Sequence, residues 1–270
     1  MISKILKYLI LMIEANKRLG QNFIKDDNII RKIIDVTNNI TGHSILEIGP
    51  GTGKLTRAIL DKSPESLISI EKDKRFNDIH NEIMREFPQY QYLRQDALTT
   101  KLSSITDNKL IIISNLPYNI GSRLLINWLS EHNKIDKMVL MFQKEVAKRI
   151  TAKVNSKNYG FLSIAVQLLC TTEYMFEVSK NCFFPAPKIT SAIVKLSPYG
   201  KEITYEFYEF FKYIVRTAFQ QRRKTIKKSL KPIADHIEQP LISLGIDVNK
   251  RSENITVDEF SHITEYLYNN

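Results

Sequence analysis

Residues 46–56 read Leu-Glu-Ile-Gly-Pro-Gly-Thr-Gly-Lys-Leu-Thr, and in this segment three glycines at alternate positions follow a predicted buried strand. Because Gly49, Gly51 and Gly53 carry no side chain, the backbone of this turn can approach a ligand closely. The free N–H groups of a helix beginning at about Lys54 would face the same space. The spacing is G-x-G-x-G, and a lysine stands where the dinucleotide pattern has its third glycine. The turn therefore indicates a nucleotide-like ligand without identifying it.

Two acidic residues end the next two predicted strands. Glu71 ends the second strand, 22 residues after Gly49. A carboxylate at that place can accept hydrogen bonds from both hydroxyls of a ribose that lies across the sheet edge. The third strand ends in Gln95-Asp96-Ala97, and the aspartate can accept a hydrogen bond from an adenine amino group. Either acid alone is an ordinary strand-end residue, but the order glycine, glutamate, aspartate favours a cofactor that contains adenosine.

The segment Asn115-Leu116-Pro117-Tyr118 has the most specific chemical potential. Pro117 keeps Leu116 extended, so the carbonyl groups before the proline point outward rather than into a helix. The exocyclic amine of a base is a poor nucleophile because its lone pair is delocalised into the ring. The Asn115 side chain and the Leu116 carbonyl can accept its two hydrogens and turn the lone pair out of the ring plane, while Tyr118 offers a flat face to the base. A plain strand-to-turn connection is the alternative interpretation.

A second aromatic position lies in Phe183-Phe184-Pro185-Ala186-Pro187. This segment is predicted to be irregular, because its two prolines interrupt both a helix and a strand ladder. Phe183 can supply the opposite stacking face for a base, and base–aromatic stacking contributes about 1–3 kcal/mol per base. Core packing under a rigid loop is the alternative role for this ring.

Residues 216–231 form a basic run with seven Lys and Arg and no acidic residue. Val215, Phe219, Ile226 and Leu230 fall near one helical face, which leaves the cations largely outward. A charge run is usually a solvated face, but a run without acids favours contact with phosphates. The predicted RNA contacts are Arg222, Arg223, Lys224, Lys227 and Lys228. The N-terminal arm has the same basic character at Lys17, Arg18 and Lys25.

Short apolar runs alternate with helical patterns after the glycine turn, which predicts a mostly parallel sheet covered on both faces. The predicted strands are 44–48, 67–70, 90–94, 110–114 and 137–142, and the predicted helices are 54–62, 74–86, 121–132 and 143–153. A helix leading into a strand is predicted over 161–176, a closing strand over 191–196, and helices after a linker at 197–200. Such sheets bind ligands at the carboxyl ends of their strands, where the candidate residues stand. The predicted fold class is α/β, a Rossmann-like sheet with a small C-terminal all-helical domain.

The composition is that of a globular protein with a polyanionic partner. The chain has 270 residues, 43% of them hydrophobic, and a net charge of +10, which favours nucleic acid. The apolar stretch 5–13 is shorter than the roughly 20 residues that span a bilayer and lacks a cleavage site, so neither a membrane anchor nor a signal peptide is expected. Cys170 and Cys182 have no metal-ligand spacing. Residues 1–11 supply no motif, and a chain starting at Met12 is expected to keep full activity.

Six segments form an ordered set of motifs along the chain. They are Lys-Arg-Leu-Gly-Gln-Asn-Phe (17–23), Leu-Glu-Ile-Gly-Pro-Gly-Thr-Gly (46–53), Asn-Leu-Pro-Tyr-Asn-Ile (115–120), Gln-Lys-Glu-Val-Ala-Lys-Arg (143–149), Phe-Phe-Pro-Ala-Pro-Lys (183–188) and Phe-Gln-Gln-Arg-Arg-Lys-Thr (219–225). Together they resemble the KsgA-type ribosomal RNA adenine dimethyltransferases, from residue 17 to about 260. Two features depart from that family: residues 1–11 have no counterpart, and Phe184 stands where a smaller residue is usual.

The resemblance implies a cofactor, a site and a domain organisation. The cofactor is S-adenosyl-L-methionine, with contacts at Asn22, Ile24, Gly49, Gly51, Glu71, Asp96, Ala97 and Asn115. Methyl transfer falls on Asn115, Leu116, Pro117, Tyr118 and Phe183. The implied domains are an N-terminal extension (1–16), a methyltransferase domain (17–198) and a C-terminal helical RNA-binding domain (201–270). No metal or general base is expected, because the amine loses its proton only after it has become cationic.

The implied activity is dimethylation at N6 of two adjacent adenosines near the 3′ end of 16S rRNA in the small ribosomal subunit. The enzyme is expected to be monomeric, cytoplasmic and not associated with a membrane, and the target adenosine must leave its helix to reach the pocket.

Three alternatives to this activity stay open. A large-subunit rRNA methyltransferase of the antibiotic-resistance type is disfavoured by residues 183–188 and 216–230. A DNA adenine methyltransferase usually has a second proline where Leu116 stands. An inactive RNA-binding assembly factor would have no need of the intact glycine, acidic and asparagine positions.

Overall fold

The computed structural model describes Asn16 and residues 19–270. The predictions for the N-terminal extension, apart from Asn16, and for Lys17 and Arg18 concern residues outside this part. The chain divides into two compact units: the first takes in residues up to Ala147 and Glu173–Ser197, and the second takes in Lys148–Thr172 and Pro198–Asn270. Within the described residues, no helix has both the length and the apolar character that crossing a membrane requires.

A mostly parallel sheet, as predicted, positions the candidate site. The strands of the described chain are β1 (Phe23–Ile24), β2 (Ser44–Ile48), β3 (Ser66–Glu71), β4 (Tyr90–Arg94), β5 (Leu110–Asn115), β6 (Ile135–Gln143), β7 (Cys170–Val178), β8 (Phe183–Phe184) and β9 (Ser191–Pro198). Seven of them form one sheet in the order β4-β3-β2-β5-β6-β9-β7. The neighbours from β4 to β6 pair in parallel, and β9 is antiparallel to β6. The carboxyl ends of β2, β3, β4 and β5 therefore meet at one edge.

Helices of the first unit cover this sheet. They are α1 (Asp27–Thr37), α2 (Lys54–Leu60), α3 (Asn77–Glu86), α4 (Gly121–Leu129) and α5 (Lys144–Ile150), the last of which continues into the second unit. Every residue of β2 is buried, as are the first five of β5, because a parallel strand is covered on both faces. Helix α1 begins where the Asp26 side chain accepts from the Asn28 N–H at 2.9 Å, which satisfies an otherwise free donor.

The second unit is largely helical, in agreement with the predicted fold class. Its further helices are α6 (Phe161–Gln167), α7 (Tyr205–Gln220), α8 (Ile226–Leu230), α9 (Glu238–Ser243) and α10 (Val257–Asn269). Phe211 and Phe260 are fully buried, and the Tyr208 hydroxyl donates to the Ala165 carbonyl at 3.1 Å. This unit includes residues 148–172, which the sequence-based division assigns to 17–198. The functional division into domains stays a prediction.

Two local predictions were wrong. Phe183–Phe184 is not irregular but pairs antiparallel with Phe23–Ile24, because a proline lacks only its own N–H and leaves the residues before it free to pair. The basic run is not one continuous helix, since α7 ends at Gln220 and α8 starts at Ile226. The predicted inward residues Val215, Ile226 and Leu230 are nevertheless fully buried.

Candidate functional site

One cavity at the carboxyl edge of the sheet gathers the predicted site residues. Its lining includes every predicted cofactor contact, namely Asn22, Ile24, Gly49, Gly51, Glu71, Asp96, Ala97 and Asn115. Leu116, Pro117 and Tyr118 also line it, whereas Phe183 does not. The residues that the sequence analysis assigned to one site therefore lie around one cavity, with the exception of Phe183. The roles assigned to them stay predictions.

The glycine turn is constrained by packing as well as by access. Gly51 has a φ of +51°, and a Cβ there would lie 2.8 Å from the ring of Phe23. Gly53 has a φ of +76°, and its Cβ would lie 2.6 Å from Ile83 Cδ1. Neither position tolerates a side chain, whatever ligand the turn takes. At Gly49 the nearest atoms to a Cβ belong to Pro117 at 3.7 Å, so this glycine is the one that leaves room on the cavity side.

A buried histidine holds the Gly51 carbonyl. His80 Nε2 lies 2.9 Å from that oxygen, and the Tyr90 hydroxyl lies 2.7 Å from His80 Nδ1. Because a carbonyl oxygen only accepts, Nε2 carries the proton and the tyrosine donates to Nδ1. Burial lowers the pKa of His80 to about 4, which keeps the ring neutral and this pattern intact at physiological pH.

Two buried glutamates flank the turn. Glu47 accepts from Thr56 Oγ1 at 2.8 Å and from Ser69 Oγ at 2.9 Å, and burial raises its pKa to about 7. Glu71 ends β3 inside the cavity and accepts from the Asp73 N–H at 2.8 Å. Burial raises the pKa of Glu71, against backbone hydrogen bonds that favour its charged form. Glu71 is therefore a hydrogen-bond acceptor that is largely shielded from water, and a hydrogen bond with a ribose hydroxyl would be stronger there than in solvent.

Asp96 follows β4 and is already paired. Its Oδ2 accepts from Lys72 Nζ at 2.8 Å and its Oδ1 from the Leu98 N–H at 3.0 Å. The hydrogen bond from Lys72 holds the pKa of Asp96 below its ordinary value. Each carboxylate oxygen has a further lone pair, so Asp96 can still accept from an adenine amino group without breaking either contact.

The Asn115 side chain presents an unpartnered oxygen. Its Nδ2 donates to the Asn22 carbonyl at 2.9 Å, which fixes the orientation of the amide. Its Oδ1 is buried and has no hydrogen-bond partner within the described chain. A buried oxygen without a partner costs about 1–3 kcal/mol, and this one is available to a donor that arrives from outside. An amino group is such a donor.

Pro117 and Tyr118 are held rigidly beside Asn115. The Pro117 carbonyl accepts from the Gly121 N–H at 3.0 Å, which closes the turn into α4. The Tyr118 hydroxyl is hydrogen-bonded to Ser191 Oγ in β9, and burial raises the pKa of Tyr118. The tyrosine ring therefore has a fixed plane at the cavity wall, as stacking on a base requires.

The predicted second stacking ring is covered. Phe183 is 1% exposed and belongs to the core cluster with Ile24 and Val178. Its neighbour Phe184 is 65% exposed. The core-packing alternative therefore describes Phe183 in this structure, and its role in stacking stays a prediction that requires the ring to be uncovered.

The basic run contains both paired and unpaired cations. Arg222 Nη2 lies 3.2 Å from Glu253 Oε2, and Lys227 Nζ lies 3.0 Å from Glu238 Oε1. The run thus receives acidic partners from elsewhere in the second unit. The exposed cations without such a partner in the described chain are Arg216, Arg223, Lys224, Lys228 and Lys231. Nothing in the structure explains why the hydroxyl oxygens of Thr225 and Ser229 are buried without partners.

Sequence reasoning missed the residues that support the turn from behind. His80, Tyr90 and Phe23 are contributed by α3, β4 and β1, and only Phe23 belongs to one of the motifs, at the end of residues 17–23. The available signal was a polar residue on an apolar helix face, since Ile79 and Ile83 flank His80 on the buried side of α3.

A family model described as "Ribosomal RNA adenine dimethylase" matches residues 12–269. The chain belongs to the ribosomal RNA adenine dimethylase family. This membership agrees with the resemblance found in the motifs and confirms the predicted enzyme class, an rRNA adenine dimethyltransferase. It also confirms the predicted cofactor, S-adenosyl-L-methionine, on which enzymes of this family depend.

Similar curated proteins carry one name. A ribosomal RNA small subunit methyltransferase A of Ehrlichia chaffeensis is 40% identical over 256 residues, which cover 94% of this chain and 97% of that protein. The protein of the same name from Neorickettsia sennetsu is 42% identical over 253 residues, covering 92% of this chain and 96% of that protein.

Solved structures share the fold. A dimethyladenosine transferase from Plasmodium falciparum superposes with a TM-score of 0.78 at 26% identity, covering 92% of this chain and 98% of that one. The 23S rRNA methyltransferase ErmE superposes with a TM-score of 0.70 at 23% identity, covering 92% of this chain and all of that one, which shows a common fold alone. The predicted fold class is confirmed.

The residues of the cavity fit an adenosine-containing methyl donor. Gly49 leaves room in the turn, Glu71 and Asp96 supply acceptors at neighbouring strand ends, and the free Asn115 oxygen lies on the same lining. The lining supplies oxygen acceptors and backbone groups, which match the hydroxyl and amino donors of an adenosine. Among the described residues, no group of three or more His, Cys, Asp and Glu side chains could hold a metal ion.

Proposed function

We propose that this protein dimethylates N6 of two adjacent adenosines near the 3′ end of 16S rRNA, on the small ribosomal subunit. The observation that carries the proposal is the buried, unpartnered Asn115 Oδ1 beside the glycine turn. Membership of the dimethylase family supports the reaction, and the name of the similar proteins, small subunit methyltransferase A, supports the choice of subunit.

The chain's own residues act chiefly by orientation. When bound, S-adenosyl-L-methionine supplies an electrophilic methyl group, and Gly49, Gly51, Glu71 and Asp96 would hold it. Asn115 Oδ1 and the Leu116 carbonyl accept the two hydrogens of the adenine amine, which turns its lone pair out of the ring plane. Tyr118 stacks on the base and keeps it in one position. Holding reactants in this way replaces a bimolecular encounter by an oriented one, which accounts for a large part of a rate enhancement.

Proton transfer needs no dedicated base in this scheme. The amine becomes cationic when it gains the methyl group, and it then loses a proton readily to solvent. The second methylation uses the same contacts with one hydrogen fewer, so either the Asn115 oxygen or the Leu116 carbonyl suffices to hold the monomethylated amine.

The test is methylation of purified ribosomal subunits that lack the modification. With S-adenosyl-L-methionine, we expect N6,N6-dimethyladenosine in 16S rRNA by mass spectrometry of nuclease digests, at two adjacent positions. Large subunits serve as the matched substrate control. Modification of 23S rRNA alone would replace the proposal by the large-subunit alternative, and cofactor binding without modification of either subunit would favour the inactive assembly factor.

We further propose that the enzyme acts as a monomer in the cytoplasm, where its rRNA substrate is assembled. Sedimentation equilibrium is expected to give a single species near 31.4 kDa. A dimer in that experiment would contradict the monomeric state without affecting the reaction.

A further inference from the structure

The ribbon formed by β1 and β8 has two different faces. Ile24 pairs with Phe183, and both side chains are buried in the core cluster. Phe23 pairs with Phe184, one residue along each strand. Side chains of directly opposed residues lie on the same face of a sheet, and successive residues alternate between faces. Phe23 and Phe184 therefore share the opposite face of the ribbon, on which Phe23 is partly buried and packs against the core while Phe184 is exposed.

The ribbon contributes to the cavity wall through Phe23 and Ile24. Phe23 lines the cavity, and its ring fills the space where a Cβ of Gly51 would stand. Phe184 lies directly across the ribbon from it, with opposed Cβ atoms about 4.5–5.5 Å apart in such pairs. A single exposed apolar residue is common on protein surfaces and carries no information. An exposed ring paired across the ribbon with a residue of the cavity wall is more informative.

Three lysines lie near Phe184 in the chain or the ribbon, and the acid Asp26 lies beside them with its Oδ2 3.6 Å from Cys182 Sγ. Lys180 and Lys188 flank it in the chain and are exposed, and the segment 179–190 contains no acidic residue. Lys25, also exposed, joins the ribbon because its N–H donates to the Cys182 carbonyl at 2.9 Å. A flat aromatic face among cations is the combination that proteins use to bind single-stranded nucleic acid, by stacking on bases while attracting the backbone.

We propose that Phe184 is a stacking platform for a nucleotide that flanks the target adenosine, with Lys25, Lys180 and Lys188 attracting its phosphates. This inference rests on the proposed function, because it assigns part of the RNA-binding surface of the same site. It differs from the predicted role of Phe183, whose ring is buried, and it requires no rearrangement of the core.

A tryptophan at this position reports stacking directly. The chain has one tryptophan, Trp128, which is 3% exposed, so Phe184→Trp adds a single surface fluorophore. We expect hexaadenylate to quench the added emission and a ribose-phosphate hexamer of the same charge without bases to leave it unchanged. Equal responses to the two oligomers would overturn the proposal, since charge alone would then explain binding.

Activity of a variant series separates stacking from apolar burial. With small subunits as substrate, Phe184→Ala and Phe184→Leu are expected to raise KM for the subunit roughly 5- to 100-fold, the range for removal of one stacked base. Phe184→Trp and Phe184→Tyr are expected to keep the parent KM, because they keep a flat ring. Affinity for S-adenosyl-L-methionine is expected to stay constant throughout the series.

The matched control is Met175→Ala, an exposed apolar residue of β7 that does not line the cavity and is expected to have no effect. A leucine variant as active as the parent would overturn the proposal. Failure of the parent to methylate small subunits would instead count against the proposed function, and the fluorescence experiment would still decide whether Phe184 stacks on bases.

Discussion

The cavity and the basic run satisfy their polar groups in different ways. In the cavity and behind its glycine turn, Glu47, Asp96 and His80 each have defined hydrogen-bond partners, and the Asn115 oxygen is a buried exception. In the basic run, some exposed cations pair with glutamates and others face solvent. A missing partner inside the protein costs free energy, and at Asn115, which lines the cavity, a ligand can supply it; the hydroxyls of Thr225 and Ser229 do not line that cavity, and water satisfies an unpaired surface charge at no such cost. Burial is what makes the cavity informative.

The strongest test of this contrast removes the unpartnered oxygen. Asn115→Ala is expected to lower single-turnover methylation at least about 100-fold, on the scale of one preorganised hydrogen bond in a transition state. Affinity for S-adenosyl-L-methionine by calorimetry is expected to stay near the parent value. Asn115→Asp, which keeps an oxygen but loses the Nδ2 donor to the Asn22 carbonyl, is the comparison. Unchanged turnover in the alanine variant would remove Asn115 from the site.

A ground-state contact should behave differently. Glu71→Ala is expected to weaken S-adenosyl-L-methionine binding roughly 10- to 100-fold, because it removes a charged acceptor of two hydroxyl hydrogen bonds. Glu71→Gln keeps one acceptor oxygen, and its affinity for S-adenosyl-L-methionine is expected to lie between those of the parent and the alanine variant. Glu65→Ala changes an exposed acid near the start of β3, outside the cavity, and is expected to bind normally. Equal affinity in all variants would make Glu71 an ordinary strand-end acid.

The support behind the glycine turn can be removed without touching the ligand. His80→Phe leaves the Gly51 carbonyl without its donor, at a cost of about 1–3 kcal/mol shared between folding and binding. We expect weaker S-adenosyl-L-methionine binding by roughly tenfold and a lower Tm. Tyr92→Phe is the control, because the Tyr92 ring stacks on His80 at 4.5 Å and its hydroxyl does not touch the turn. A lower Tm with parent affinity would limit His80 to stability.

The pH dependence of stability tests the buried Glu47. Burial raises the pKa of Glu47 from 4.5 to about 7 in the folded protein. The stability that the protonated side chain contributes is therefore fully present below the unfolded pKa and is lost as pH rises through 7. Glu47→Gln does not titrate, and it is expected to gain about 1 kcal/mol relative to the parent between pH 6.5 and 8. The titration of His80 is common to the parent and the variant and cancels from this comparison. If urea unfolding gives the same stability difference between parent and Glu47→Gln at pH 6.5 and at pH 8, the raised pKa is contradicted.

The smallest expected effect comes from removing single charges in the basic run. Alanine at Arg223, Lys224 or Lys228 is expected to flatten the slope of log affinity for small subunits against log salt by roughly 0.7–0.9 for each phosphate that the variant no longer neutralises. Alanine at Arg222 or Lys227, which pair with glutamates, is expected to change the slope less. Identical slopes for both groups would mean that the run is a solvated face.

The local chemistry of the site was determined by the sequence. The glycine turn, Glu71, Asp96 and Asn115 each follow a strand, and a mostly parallel sheet brings the carboxyl ends of its strands to one edge. Spacing along the chain therefore sufficed to predict that these residues meet. Strand and helix positions were predictable for the same reason, since burial on one or both faces leaves a periodic pattern.

Only the tertiary structure decided what lies behind and beside those residues. His80 reaches Gly51 across 29 positions, Glu253 reaches Arg222 across 31, and Phe184 pairs with Phe23 across most of the first unit. Periodicity records that a residue is buried or exposed but not which partner it meets. Those partners depend on how helices and strands pack, and that packing buried Phe183 while it exposed Phe184.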